Sequence, residues 1–106
     1  MTSTMIAHNV YFTLHENSPA AVRAMIEDCH RHLAPLPGIV FYAAGTPLDA
    51  DPSSSDGGYD VALNVVFQDR AALDAYMTAP EHVELIERHQ SNWKDVQAFD
   101  SCVSGA

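Results

Sequence analysis

From Ile6 to Leu14 apolar and polar positions alternate, with Ile6, His8, Val10, Phe12 and Leu14 on one side and Ala7, Asn9, Tyr11 and Thr13 on the other. A period of two predicts a strand with one apolar face. Ser18-Pro19 changes the rhythm: a capping hydroxyl, then a residue whose missing N–H costs nothing there, opens a helix expected to run to Leu33. Val22, Met25, Ile26, Cys29 and Leu33 recur at three- and four-residue steps as its buried stripe, with Arg23, Glu27, Asp28 and Arg31 expected in water. Pro35, Pro37 and Gly38 stop it, and Ile39 to Ala44 reads as a second strand.

Asp49 to Gly58 holds small, polar, turn-forming residues and reads as a solvated loop. Tyr59, Val61, Leu63, Val65 and Phe67 then alternate with Asp60, Ala62, Asn64, Val66 and Gln68, the signature of a central third strand. Asp69 caps a second helix with Leu73, Tyr76 and Met77 on one face, and Ala79-Pro80 breaks it. A further helix starts at Pro80, with Val83 and Ile86 at helical spacing and His82, Ile86 and His89 along one side. Val96 to Val103 closes the domain as a fourth strand.

The order β-α-β-β-α-β predicts an α+β, ferredoxin-like fold, an antiparallel sheet with helices on one face. The other face would carry Asn9, Tyr11, Ala62, Asn64, Val66, Phe99 and Val103, too apolar for water, so a homodimer through the open sheet face is expected.

Composition narrows the partners. At 106 residues the chain is sized for one domain, and fourteen acidic against five basic residues give a net charge of −9. That charge sets nucleic acid and anionic membrane aside, since both are bound through their own negative charge. Cys29 and Cys102 lack the spacing of a zinc or redox motif, Met1 to Asn9 show no signal-peptide pattern, and no membrane-length apolar run follows. A cytoplasmic protein is expected.

His8 shares its strand face with apolar residues, so its imidazole points inward; alone, it reads as a buried histidine bonded to a backbone carbonyl. His82, at a helix N-terminus, should resist protonation and could act as a base, or could make only local hydrogen bonds. Tyr76 reads as a core aromatic whose hydroxyl, if it reaches a cavity, could hold a substrate carbonyl. Met25, Ile26, Cys29, Leu63, Leu85, Trp93 and Val96 are expected around such a cavity, unless they fill it. On a helix His30 and His32 diverge by roughly 200° and are expected in solvent, and His89 lacks an evident carboxylate joining it to His82. Neither a metal nor a cofactor is expected.

Several segments together resemble the stress-responsive A/B barrel (Dabb) family: Met5-Ile6-Ala7-His8, Leu36-Pro37-Gly38-Ile39, Gly58-Tyr59-Asp60-Val61-Ala62-Leu63, Ala75-Tyr76-Met77-Thr78-Ala79-Pro80-Glu81-His82 and Phe99-Asp100. The likeness spans nearly the whole chain and implies a dimeric α/β barrel. It aligns Met5 with the usual start, making residues 1–4 an extension, 5–103 the domain and 104–106 a tail. Polyketide cyclases of that family use a tyrosine and a histidine at the positions of Tyr76 and His82 for ring closure, with the first-strand histidine, here His8, lining the same cavity. The family corner often reads His-Pro-x-His after the tyrosine; Ala79 replaces its first histidine, which argues against a metal or two-histidine mechanism. The resemblance implies a binder of a small apolar carbonyl compound in an intrasubunit cavity, acting as a cyclase-like lyase or isomerase. Two alternatives stay open: a non-catalytic small-molecule-binding or stress-response dimer, and a cofactor-free or haem-binding monooxygenase with His82 or His8 as axial ligand.

Overall fold

The computed structural model describes residues 4–48 and 58–105. Of the expected loop Asp49 to Gly58 only Gly58 falls among them, and residues 1–3 and 106 of the expected extension and tail also lie outside the described residues. The elements run β1 (Met5–Leu14), α1 (Pro19–His32), β2 (Ile39–Gly45), β3 (Val61–Phe67), α2 (Arg70–Thr78), α3 (Pro80–His89), a 3₁₀ turn (Gln90–Asn92) and β4 (Trp93–Val103). The strands form one antiparallel sheet in the order β2-β3-β1-β4, the ferredoxin-like arrangement. It is an open sheet, not a barrel closed within the chain.

Alternation decides which side of each strand is buried. Ile6, His8, Val10, Phe12 and Leu14 of β1 and Val61, Leu63, Val65 and Phe67 of β3 face the helices and form the core with Met25, Cys29, Leu33, Leu73, Tyr76 and Leu85. The helix starts follow their caps: the Ser18 hydroxyl accepts from Ala21 N, and the Asp69 carboxylate accepts from Ala72 N. Gly38 turns the chain into β2 with φ of +85°, and a side chain there would come within 2.5 Å of the Ala72 Cβ, so the link packs directly on α2.

Several boundaries and faces differ from the sequence expectation. Tyr59 and Asp60 precede the third strand, because the Asp60 carboxylate accepts from Leu14 N (2.7 Å) and Asn17 Nδ2 while the Tyr59 ring packs on Tyr11. The fourth strand begins at Trp93, three residues before Val96, since Trp93 pairs with Leu14 and its ring packs 4.9 Å from Phe12. Met77 and Val83 are substantially exposed; the inward side of α3 carries His82, Leu85, Ile86 and His89.

Asp28 and His32 are not solvated. The crossing of α1 on α3 covers them: His89 Nε2 donates to Asp28 Oδ2 at 2.8 Å, Arg88 lies beside the same carboxylate, and His32 Nδ1 donates to the Asp28 carbonyl. The His89 hydrogen bond foremost, then the His89, Arg88 and Arg31 charges, hold the Asp28 carboxyl below its ordinary value against the opposing effect of burial. His30 does lie in solvent, sharing a hydrogen bond with the Tyr42 hydroxyl.

Candidate functional site

The break between α2 and α3 creates the site. Ala79 is extended (φ −61°, ψ 140°) and serves at once as the end of α2 and the start of α3, with Pro80 as the first residue of the new helix. Tyr76, in the last turn of α2, and His82, in the first turn of α3, thereby meet with ring centroids 4.9 Å apart. His8 rises from β1 beneath them, 6.0 Å from the Tyr76 ring and edge-on to it. Phe67 closes the other side of Tyr76 at 4.8 Å. Three elements thus bring the three predicted residues into one cluster, with Phe67 of β3 packed against it.

Hydrogen bonding within the cluster is incomplete. The Tyr76 hydroxyl and His82 Nδ1 are buried and have no hydrogen-bond partner among the described residues. Leaving such a group unsatisfied costs about 1–3 kcal/mol, so two on adjacent rings mark a place where folding alone has not settled the polar chemistry. Burial, and secondarily the neighbouring His8, push the His82 pKa below its ordinary value, while the nearby Met77 backbone works the other way. The direction is the one expected from the helix dipole, but its largest cause is desolvation. Burial likewise pushes the Tyr76 phenol upward, so it remains a protonated donor.

His8 has a partner that sequence reasoning passed over. Its Nδ1 donates to Asp100 Oδ1 at 2.5 Å, joining a buried imidazole to a carboxylate half open to solvent. The register that sets His8 opposite Asp100 was the missing signal, because the two lie 92 positions apart. Asp100 in turn borders a cleft of about 410 Å³ between α2 and the β1–β4 edge, lined also by Ile6, Arg70, Leu73, Asp74, Met77, Ser101 and Cys102. This cleft differs from the cavity expected from sequence.

Of the expected cavity residues, Met25, Cys29, Leu63 and Leu85 are packed into the core, with Ile26 and Trp93 against it. Burial raises the Cys29 thiol to about 12, which makes it a packing group rather than a nucleophile. Trp93 keeps a buried indole N–H without a partner among the described residues. Val96 is 42% exposed on the helix side of β4, apart from the cluster. Among the described residues no group of three or more His, Cys, Asp or Glu side chains is arranged to hold a metal, and no helix is long and apolar enough to cross a membrane.

The family model described as the stress responsive A/B barrel domain matches residues 6–103. No curated protein matches the chain. Among solved structures, a Dabb family protein with a ferredoxin-like fold from Mesorhizobium loti is 23% identical, with a TM-score of 0.78 over 96% of this chain and 99% of that one. A dimeric ferredoxin-like protein of unknown function from Thermobifida fusca is 20% identical, with a TM-score of 0.80 over 97% and 94%. The hydroxynitrile lyase of Passiflora edulis is 15% identical, with a TM-score of 0.77 over 98% and 97%. At these identities the structural likeness establishes the fold alone.

Proposed function

The chain belongs to the stress responsive A/B barrel domain family, and from that premise we propose that it is a homodimer binding a small apolar carbonyl compound at the Tyr76–His82 corner. There it promotes removal of a proton next to the carbonyl, in the manner of a lyase or isomerase. The observation that carries this reading is the pair of buried polar atoms on adjacent rings, Tyr76 Oη and His82 Nδ1, neither with a partner among the described residues. An enolising carbonyl needs one donor for its oxygen and one base for its carbon acid. Tyr76, kept protonated by burial, supplies the donor; His82, kept neutral by burial, supplies the base. His8, oriented by Asp100, is the supporting donor.

The α2–β4 cleft is the approach, since Asp100 belongs both to its lining and to the His8 hydrogen bond. Residues 5–103 constitute the domain, with 1–4 an extension and 104–106 a tail, in a cytoplasmic protein. The dimeric relative from Thermobifida fusca and the hydroxynitrile lyase on the same fold are consistent with this assignment.

The test follows hydrogen–deuterium exchange at the α-carbon of a small aliphatic diketone by NMR. Wild type accelerates exchange, and His82→Ala lowers the rate by about 100-fold or more with the fold intact. The acid limb of the wild-type profile falls below the ordinary histidine value of 6.5, because the folded protein disfavours His82 protonation. Equal rates for wild type and His82→Ala remove the assignment. The close packing of Met25, Cys29, Leu63 and Leu85 favours a second reading, a binder without turnover, whose mark is saturable diketone binding with no exchange above background.

A further inference from the structure

On the sheet face turned away from the helices, Asn9 and Asn64 stand directly opposite each other on the two central strands, near the midpoint of each. Asn64 Nδ2 donates to Asn9 Oδ1 at 2.8 Å. A primary amide carries an NH₂ and a carbonyl, so this bond leaves the NH₂ of Asn9 and the carbonyl of Asn64 with capacity to spare. Turning both amides over exchanges the labels and leaves the same two groups. The centre of the open face therefore presents one donor beside one acceptor.

The surroundings indicate what meets them. Phe99 lies opposite Asn9 on β4 and is 57% exposed, while Ala43 lies opposite Asn64 on β2. Across the three strand pairings, the only formally charged residue paired on this face among the described residues is Asp95, at one end. In a chain of net charge −9, this is the surface on which two identical copies can approach with least repulsion. A donor beside an acceptor at the centre of a face is also self-complementary under a two-fold rotation.

We infer that a second copy of this chain covers the face, and that Asn9 and Asn64 lock its register through reciprocal bonds across the two-fold axis. The Asn9 NH₂ of each protomer donates to the Asn64 carbonyl of the other. The inference rests on the homodimer reading above and adds to it the residues that select one packing. Face-to-face apolar sheets can slide; a buried amide that finds its partner in only one position cannot do so without loss.

The test uses two single variants of the full chain, Asn9→Val and Asn64→Val, one of them ¹⁵N-labelled, mixed and read by native mass spectrometry beside wild type. In each variant homodimer every cross-protomer pair has lost one member. The mixed dimer instead holds one complete amide pair and one wholly apolar pair. The expected result is a ratio of mixed dimer to the two homodimers about tenfold or more above the ratio that random pairing gives, as a buried hydrogen-bond pairing of this kind commands. Mixed dimers in binomial proportion, with wild type dimeric, overturn the amide lock and leave the homodimer standing, since bonds confined within each chain give no preference. A monomeric wild type overturns both.

Discussion

Tyr76 concentrates the tension between folding and chemistry in a single side chain. Its ring is core, 2% exposed and packed on Phe67, while its hydroxyl is buried without a partner among the described residues. Removing an unsatisfied hydroxyl while keeping the ring relieves a desolvation cost. Tyr76→Phe is therefore expected to leave thermal stability unchanged or raise it by up to about 1 kcal/mol, while weakening diketone binding and exchange by about tenfold or more. Thermal denaturation and titration of the same preparation check both; a variant clearly less stable than wild type would show that the hydroxyl is a structural group. The sequence made the residues of this cluster legible because each sits on a countable face: His8 on an alternating strand, Tyr76 on a helical stripe, His82 three residues after the Ala79 break. It did not make Asp100 legible as their partner, since strand register is a tertiary property.

At the scale of elements, strands and helices were legible with little displacement, because period two and period 3.6 are local signals and Ser18, Asp69 and Pro80 mark starts by their own chemistry. How α1 crosses α3 is not local, and the misjudged residues cluster there. Asp28 and His32 border the wet side of α1, yet His89 and Glu84 of α3 come over them. The carboxyl of Asp28 is depressed in the folded state, so its contribution to stability is present above the ordinary value of 3.8 and is lost as pH falls through the folded value. Asp28→Asn should cost about 1–2 kcal/mol at neutral pH and less once pH has fallen below the folded value of the carboxyl, where wild type has lost the same interaction. Urea unfolding at both pH values measures it; an equal deficit at both would assign the effect to packing instead of charge.

For the whole molecule, charge and the open face act against each other. Bringing two chains of −9 together is opposed at long range, whereas the contact proposed for them is nearly free of charge. Dimer dissociation should therefore weaken with ionic strength: moving from about 20 mM to about 300 mM salt tightens the dimer several-fold, because screening removes the repulsion and leaves the apolar contact. Sedimentation velocity across a dilution series reads this directly. Tighter association at low salt would mean that opposite charges, not an apolar face, hold the copies together.

His8 and Asn9 are neighbours in the chain yet point to opposite sides of β1, one toward the Tyr76–His82 corner and the other toward the open face. A pleated strand therefore lets two tasks be written in alternating letters along one stretch of ten residues. Point changes at even positions retune chemistry and those at odd positions retune association, so the two can drift independently over generations. A single inserted or deleted letter in Met5–Leu14 exchanges the two alphabets and spoils both at once.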